Sequence, residues 1–198
     1  IDEKIDMNQL KAAGGSVLAF VTTDNVKVGA KGAEFIISKL PEGGEVAIIE
    51  GKAGNASGEF RKQGATEAFK ADSKIKLVAS QPADWDRAKA LDLAANLLQK
   101  YPNLKAIYAA NDTMALGALQ AVVNANKQDK IIVVGTDGAP EALESIKQKG
   151  LNATVAQDSA NIGVESFKIL LEAIKNKPQI SPDTPANEIP VESKLVTE

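Results

Sequence analysis

The chain has 198 residues, enough for one sizeable domain or two small ones. With 44% hydrophobic and 25% charged residues and a net charge of −3, it is ordinary for a globular protein and gives no support to a nucleic-acid partner. It contains no cysteine and no histidine, which excludes disulfides, thiolate or imidazole metal ligands, cysteine nucleophiles and any Ser-His-Asp triad.

In chain order, Val17–Val21 is a short apolar run that predicts a buried strand. Asp24 is placed to cap a helix carrying Val28, Phe35, Ile36 and Leu40, closed by Pro41 and Gly43-Gly44. Val46–Ile49 predicts the next strand, and Phe60, Ala65, Ala68 and Phe69 share one helix face. Ile75–Ala79 reads as a strand, followed by a helix with Asp84 as N-cap and Ala88, Leu91, Ala94, Ala95 and Leu98 inward. Leu104–Ala109 is a strand, and Asn111 or Asp112 caps a helix carrying Met114, Leu116, Leu119 and Val122–Val123. Ile131–Val134 is a β-branched strand, and Pro140 suits the first turn of the following helix. Ala153–Ala156 predicts a strand and Ile162–Ile174 a helix. Pro178, Pro182, Pro185 and Pro190 mark an irregular stretch, and Val191–Val196 reads as a last extended strand. Strands alternating with helices predict an α/β fold, a doubly wound parallel sheet with helices on both faces.

Six of the apolar runs end in a polar tip: Ser16–Asn25, Glu45–Asn55, Ile75–Trp85, Lys105–Asp112, Lys130–Gly138 and Asn152–Asp158. In one parallel sheet these tips meet along one edge, where open α/β sheets hold ligands. Gly51-Lys52-Ala53-Gly54 lacks the spacing and the Ser/Thr of a phosphate-binding loop. Trp85, the only tryptophan, sits at a tip between two aspartates, a position that suits a platform for a ligand better than a core. One of Asn111 and Asp112 suffices as a cap, which leaves the other for a ligand. Asp137 stands at a strand tip before a glycine turn, and Gln157 follows another strand. Amides, one carboxylate and one indole suit a neutral polyol, since carboxylates and amides bind paired hydroxyls and an aromatic face covers the C–H side of a sugar ring. No paired acid and base points to catalysis, so the residues predict binding without turnover, and no cofactor.

Several strings carry a family likeness: Asp2-Glu3-Lys4-Ile5-Asp6, Phe20–Asn25, Ser80-Gln81-Pro82-Ala83-Asp84-Trp85-Asp86-Arg87, Ala110–Gly117, Val134–Gly138 and Thr154–Gln157. The chain resembles the periplasmic ribose/allose-binding family, substrate-binding components of ABC sugar importers, over essentially its whole length. Its first residues and the Gly51–Glu59 loop resemble the allose-type members most. The resemblance implies a periplasmic location, a monosaccharide ligand with D-allose ahead of other aldohexoses or ribose, hinge closure, and an ABC permease of the inner membrane as partner. It assigns sugar contacts to Asp2, Asn55, Trp85, Asn111, Asp137 and Gln157, with no metal. Ribose-type members have arginine after the first aspartate and another in the loop after the second strand. Glu3 and, most nearly, Gln63 stand there here, which favours a hexopyranose.

The family has two doubly wound lobes joined by three crossings, roughly 280 residues by the usual size of such domains. The resemblance implies a second lobe nearly complete at residues 24–157, with a first lobe only partly present. Residues 1–23 and 158–190 would be first-lobe remnants and 191–198 a return strand. Phe167, Ile169, Leu170 and Leu171 would then lack their sheet and favour self-association. Such a chain is expected to fold and to hold sugar weakly, half of the cleft lying outside it. A sugar-sensing effector domain of a transcription regulator shares the fold and is the alternative. A sugar-modifying enzyme is disfavoured by the residue types.

Overall fold

β-Branched runs bounded by glycine and proline become strands, and the segments between them fold as helices because their apolar residues recur every three to four positions. The computed structural model describes residues 5–198. Asp2 and Glu3 therefore lie outside the described residues.

The elements follow in the order α1 (Met7–Ala12), β1 (Ala19–Thr23), α2 (Asn25–Lys39), β2 (Gly44–Glu50), α3 (Ala56–Ala71), β3 (Ile75–Pro82), α4 (Arg87–Lys100) and β4 (Leu104–Ala109). Then come α5 (Asp112–Asn124), β5 (Ile132–Asp137), α6 (Pro140–Lys147), β6 (Ala153–Ala156), α7 (Ser159–Asn176), β7 (Asn187–Val191) and β8 (Lys194–Val196). Contacts divide them into two compact units. One comprises residues 1–24 and 158–192, and the other residues 25–157 and 193–198.

The larger unit is built on a six-stranded sheet ordered β3-β2-β4-β5-β6-β8, parallel except for the antiparallel pairing of β8 with β6. Alternate side chains of each strand enter opposite cores. Ala47, Ile49, Ile107 and Val133 face a layer with Ala90, Ala94 and Leu97 of α4 and Met114, Ala118 and Val122 of α5. Val46, Ile48, Tyr108 and Val134 face Ala33 and Ile36 of α2 and Ala65 and Phe69 of α3. Chain direction across the sheet reverses between β2 and β4, because β3 lies outside β2 while β4, β5 and β6 follow on the other side. Such a reversal opens a crevice at the carboxyl ends of the two strands.

In the smaller unit β1 pairs in parallel with β7, and Val21, Ile162 and Val191 form a small core with Ile169 and Ile189 against it. The first of the six tips, after β1, thus ends a strand of a separate two-stranded sheet. Five tips, not six, share one edge. Val191–Val196 is likewise not one strand: Val191 pairs with Thr23, Glu192 and Ser193 break the ladder, and Leu195 pairs with Val155. Helix α1, capped by Asp6 through the Asn8 and Gln9 N–H groups, has no counterpart in the apolar pattern because it buries no residue.

Candidate functional site

Five tips of the large sheet carry Asn55, Trp85, Asn111, Asp137 and Gln157, and the sequence around each fixes what its side chain does. Asn55 and Asn111 are N-caps. The Asn55 side-chain oxygen accepts from Gly58 N at 3.0 Å, and that of Asn111 from Met114 N at 2.9 Å. Each cap satisfies an N–H that the helix leaves without a partner. The Asn111 oxygen is thus engaged by its own helix, and the residue's amine is its donor group.

Trp85 lies on the turn before α4, where Asp84 and Trp85 both adopt left-handed backbone conformations, with φ of 55° and 64°. The turn lays the indole against α3 and the loop before it. A β-carbon on Gly51 would fall 2.2 Å from Trp85 Cη2, and one on Gly58 3.0 Å from Cζ2. Only glycine at position 51 lets the half-buried ring settle there, beside Asn55. Asp84 does not cap α4. The left-handed turn turns it away to pair with Lys89 at 2.7 Å, and Asp86 caps instead through Lys89 N at 2.8 Å.

Asp137 ends β5 with φ 118°, a backbone region rare for a residue with a side chain, and Gly138 follows at φ 76°. Its Oδ1 accepts from Gln157 Nε2 at 2.6 Å and from Arg61 Nη1 at 2.9 Å. The Arg61 side chain is 7% exposed and that of Asp137 35%, so the guanidinium is buried while the carboxylate is partly exposed. Arg61 also donates from Nη1 to Ala110 O at 2.8 Å and from Nε to Asn25 Oδ1 at 2.8 Å. One cation thus holds the ends of β4 and β5 and the start of α2.

Arg61 is not marked by the strand-tip pattern, in which Gln63 stands most nearly where ribose-type members have an arginine. Gln63 in fact points outward to Glu67, at 2.9 Å. Arg61 lies one and a half turns into α3, on the inward face, beyond the loop in which a polar tip would show it. Arg61 lies within the helix and bonds to protein groups, so it does not supply the loop arginine expected of ribose-type members. A polar residue amid the small inward residues Gly58, Gly64 and Ala65 was the available signal.

Of the pair from which one was expected to cap and the other to be left for a ligand, Asn111 is the cap, and Asp112 is 1% exposed and engaged with the protein. Its Oδ1 accepts from Thr154 Oγ1 at 2.7 Å and its Oδ2 from Ala139 N at 2.7 Å. Burial pushes its pKa up to about 6, against the lowering by the Thr154 and Ala139 hydrogen bonds, and the Asp137 charge adds a smaller push upward. Tyr108, wholly buried and bonded to Thr136 at 3.0 Å, is pushed up to about 12, chiefly by burial. In the loop after β2, Gly54 N is taken by Glu59 Oε1 at 3.2 Å, and this bond is the main cause of the lowered Glu59 pKa. A carboxylate on the Gly54 N–H disfavours phosphate there. Among the described residues no group of three acidic, His or Cys side chains is placed to hold a metal ion.

Residues 5–178 match the family model for the periplasmic binding protein domain. The chain belongs to that family. It is 63% identical over its whole length to the D-allose-binding periplasmic protein of Escherichia coli (strain K12), covering 64% of that protein. It is 45% identical over 77% of its length to the ribose import binding protein RbsB of Bacillus subtilis (strain 168), covering 48% of it. Among solved structures, it superposes with TM-score 0.88 and 37% identity on an ABC transporter periplasmic solute-binding protein from Actinobacillus succinogenes 130z with bound D-allose. That alignment takes in 99% of this chain and 66% of the other. A solute-binding protein from Bacillus halodurans C-125 with bound myo-inositol gives TM-score 0.82 at 27% identity, over 96% of this chain and 69% of the other. The chain therefore spans less than two thirds of the length of these curated relatives. The α/β architecture is that of the periplasmic-binding-protein family.

Proposed function

We propose that this chain is part of the substrate-binding component of an ABC sugar importer, a periplasmic protein that binds a monosaccharide without turning it over. D-allose is the first candidate. The observation that carries the reading is the Arg61–Asp137–Gln157 arrangement at the carboxyl edge of the sheet, beside its point of reversal. A carboxylate gripped by a buried cation and an amide, and one-third exposed, is held in one orientation from which it can accept hydrogen bonds from neighbouring hydroxyls. Asn111 adds a donor, and Trp85 with Asn55 supplies an apolar and polar flank. In this reading residues 24–157 form the second lobe, Asp2 is a further sugar contact, and hinge closure holds the sugar before delivery to an inner-membrane permease. The 63% identity to a D-allose-binding protein supports the choice of sugar.

The test is calorimetric titration of the whole gene product with D-allose, D-ribose and myo-inositol. Allose is expected to bind tightest. Asp137→Asn and Arg61→Met are each expected to weaken binding by about a hundredfold, the loss of a charge-assisted hydrogen bond and of the cation that positions it. Absence of heat with every sugar defeats the reading. Equal affinity of Asp137→Asn and wild type removes this carboxylate from the site. The same reading includes self-association of the 198-residue chain through α7, supported by the exposure of Phe167, Leu170 and Leu171.

A further inference from the structure

We propose that Asp112 is a positioning residue for the sugar site: ionised, it clamps the strained Asp137–Gly138 turn in the conformation that presents Asp137, and protonated it releases the turn. This rests on the sugar-site reading above and adds to it a residue that touches no ligand.

Asp112 opens α5, directly after Asn111, yet it is not needed as a cap, because Asn111 already fills that place. A first-turn carboxylate that only answered the helix dipole would do so from solvent. Asp112 instead lies buried, with its oxygens on two other elements. Oδ2 takes the N–H of Ala139, two residues after Asp137, at 2.7 Å. Oδ1 takes the hydroxyl of Thr154 on β6 at 2.7 Å, and the same Thr154 oxygen accepts from Gly138 N at 3.3 Å. The strand beneath is cut away for it: a β-carbon on Gly135 would stand 2.2 Å from Asp112 Oδ1. One carboxylate therefore ties together the elements that carry Asn111, Asp137 and Gln157.

The turn it holds needs holding. Asp137 at φ 118° followed by Gly138 at φ 76° is a conformation that persists only where surrounding bonds over-determine it. A neutral carboxyl at position 112 has one accepting oxygen fewer. Its proton meets either the Ala139 N–H or the Thr154 hydroxyl, both donors, so one bond to the clamp is lost or reversed.

The charged and titratable groups around Asp112 come from three other elements. Asp137 of β5 disfavours its ionisation, Tyr108 of β4 stays neutral far above physiological pH, and Arg61 of α3 is engaged by Asp137. With the carboxyl titrating near pH 6, about a tenth of the protein keeps the clamp at pH 5, and with a released form that binds about tenfold more weakly, affinity falls by about fivefold between pH 7.5 and pH 5.

The experiment titrates the whole gene product with D-allose from pH 7.5 to pH 5, as wild type, Asp112→Asn, Thr154→Val and Asp137→Asn, each checked for folding by circular dichroism. The expected result is a wild-type affinity that falls with pH through about 6, and an Asp112→Asn affinity about tenfold lower at pH 7.5 and level with pH. Thr154→Val is expected to weaken binding and flatten the profile in the same direction, and it decides the matter should Asp112→Asn fail to fold. A wild-type affinity constant across this range overturns the proposal, as does a pH slope retained by Asp112→Asn. No binding by wild type at any pH refutes the sugar-site reading itself. Binding abolished by Asp137→Asn but untouched by Asp112→Asn refutes only the clamp.

Discussion

The two units use similar apolar patterns to opposite effect. In the larger one, helices α2 and α3 close one face of the sheet and α4 and α5 the other, and side chains such as Phe69, Ile36 and Ile48 are fully buried. In the smaller one, α7 is equally amphipathic, but of its apolar residues Ile162 is buried while Val164, Phe167, Leu170, Leu171 and Ile174 are exposed. Helical periodicity therefore marks a face that seeks a partner, and the partner decides whether burial follows. Every described residue of the candidate site belongs to the unit whose core is closed on both sides. A site that must hold a left-handed turn, a buried cation and a buried carboxyl within tenths of an ångström needs that support.

The sharpest way to break this comparison is to remove one phenylalanine from each unit. Phe69→Ala leaves a cavity between α3 and the sheet and is expected to cost about 3–5 kcal/mol. Phe167 is 60% exposed. Phe167→Ala is expected to change stability by less than about 0.5 kcal/mol, as at surface positions generally. Urea unfolding of both variants checks the contrast. Equal losses at concentrations too low for association would mean that α7 is covered within the monomer, and the distinction between the units would fail.

Much of this was legible in the sequence, because it depends on patterns the chain displays locally. Strand positions follow from runs such as Val46–Ile49, and the site edge follows from the polar residues just past them. Trp85 and Asp137 could be singled out because a large aromatic or a lone acid at a strand tip breaks the surrounding pattern. What stayed hidden depends on long-range packing. Arg61 lies in mid-helix and meets Asp137 across 76 residues of chain. Asp112 meets Thr154 across 42. The choice between Asp84 and Asp86 as cap turned on two left-handed residues, Asp84 and Trp85, that propensity does not foresee. The division of Val191–Val196 between two sheets turned on which strands lay within reach of each half.

A second test sharpens the comparison inside the larger unit, where rigidity carries a cost. The folded pKa of Asp112 is raised from 3.8 to about 6, so the folded protein binds the proton more tightly than the unfolded chain. The stability that its neutral form contributes is fully present below about pH 3.8 and is lost as pH rises through about 6. Relative to Asp112→Asn, wild type is therefore expected to gain about 2 kcal/mol of stability between pH 7.5 and pH 4.5. Urea unfolding of the two proteins at both pH values measures the gain. The sign opposes that of sugar affinity, which falls over the same range, so the carboxyl is retained at neutral pH against its own effect on folding. A gain near zero would mean that water reaches Asp112 and that its burial is incomplete.

The smallest expected effect on stability comes from the other side of the comparison, and its readout is assembly. Phe167 and Leu170 stand one turn apart on α7, 60% and 54% exposed, with Leu171 and Ile174 beside them. Contiguous apolar residues of this kind favour contact between copies, at a gain of roughly 25 cal/mol for each Å² removed from water. Replacing both by serine removes the driving force without opening a cavity, and stability is expected to stay within about 0.5 kcal/mol of wild type. Sedimentation velocity of the 198-residue chain is expected to show concentration-dependent association for wild type and a monomer for Phe167→Ser/Leu170→Ser. A wild-type chain that sediments as a monomer at all concentrations would mean that this face has no affinity for its own copy. The apolar residues of α7 would then be a surface for some other partner, and self-association would leave the functional reading.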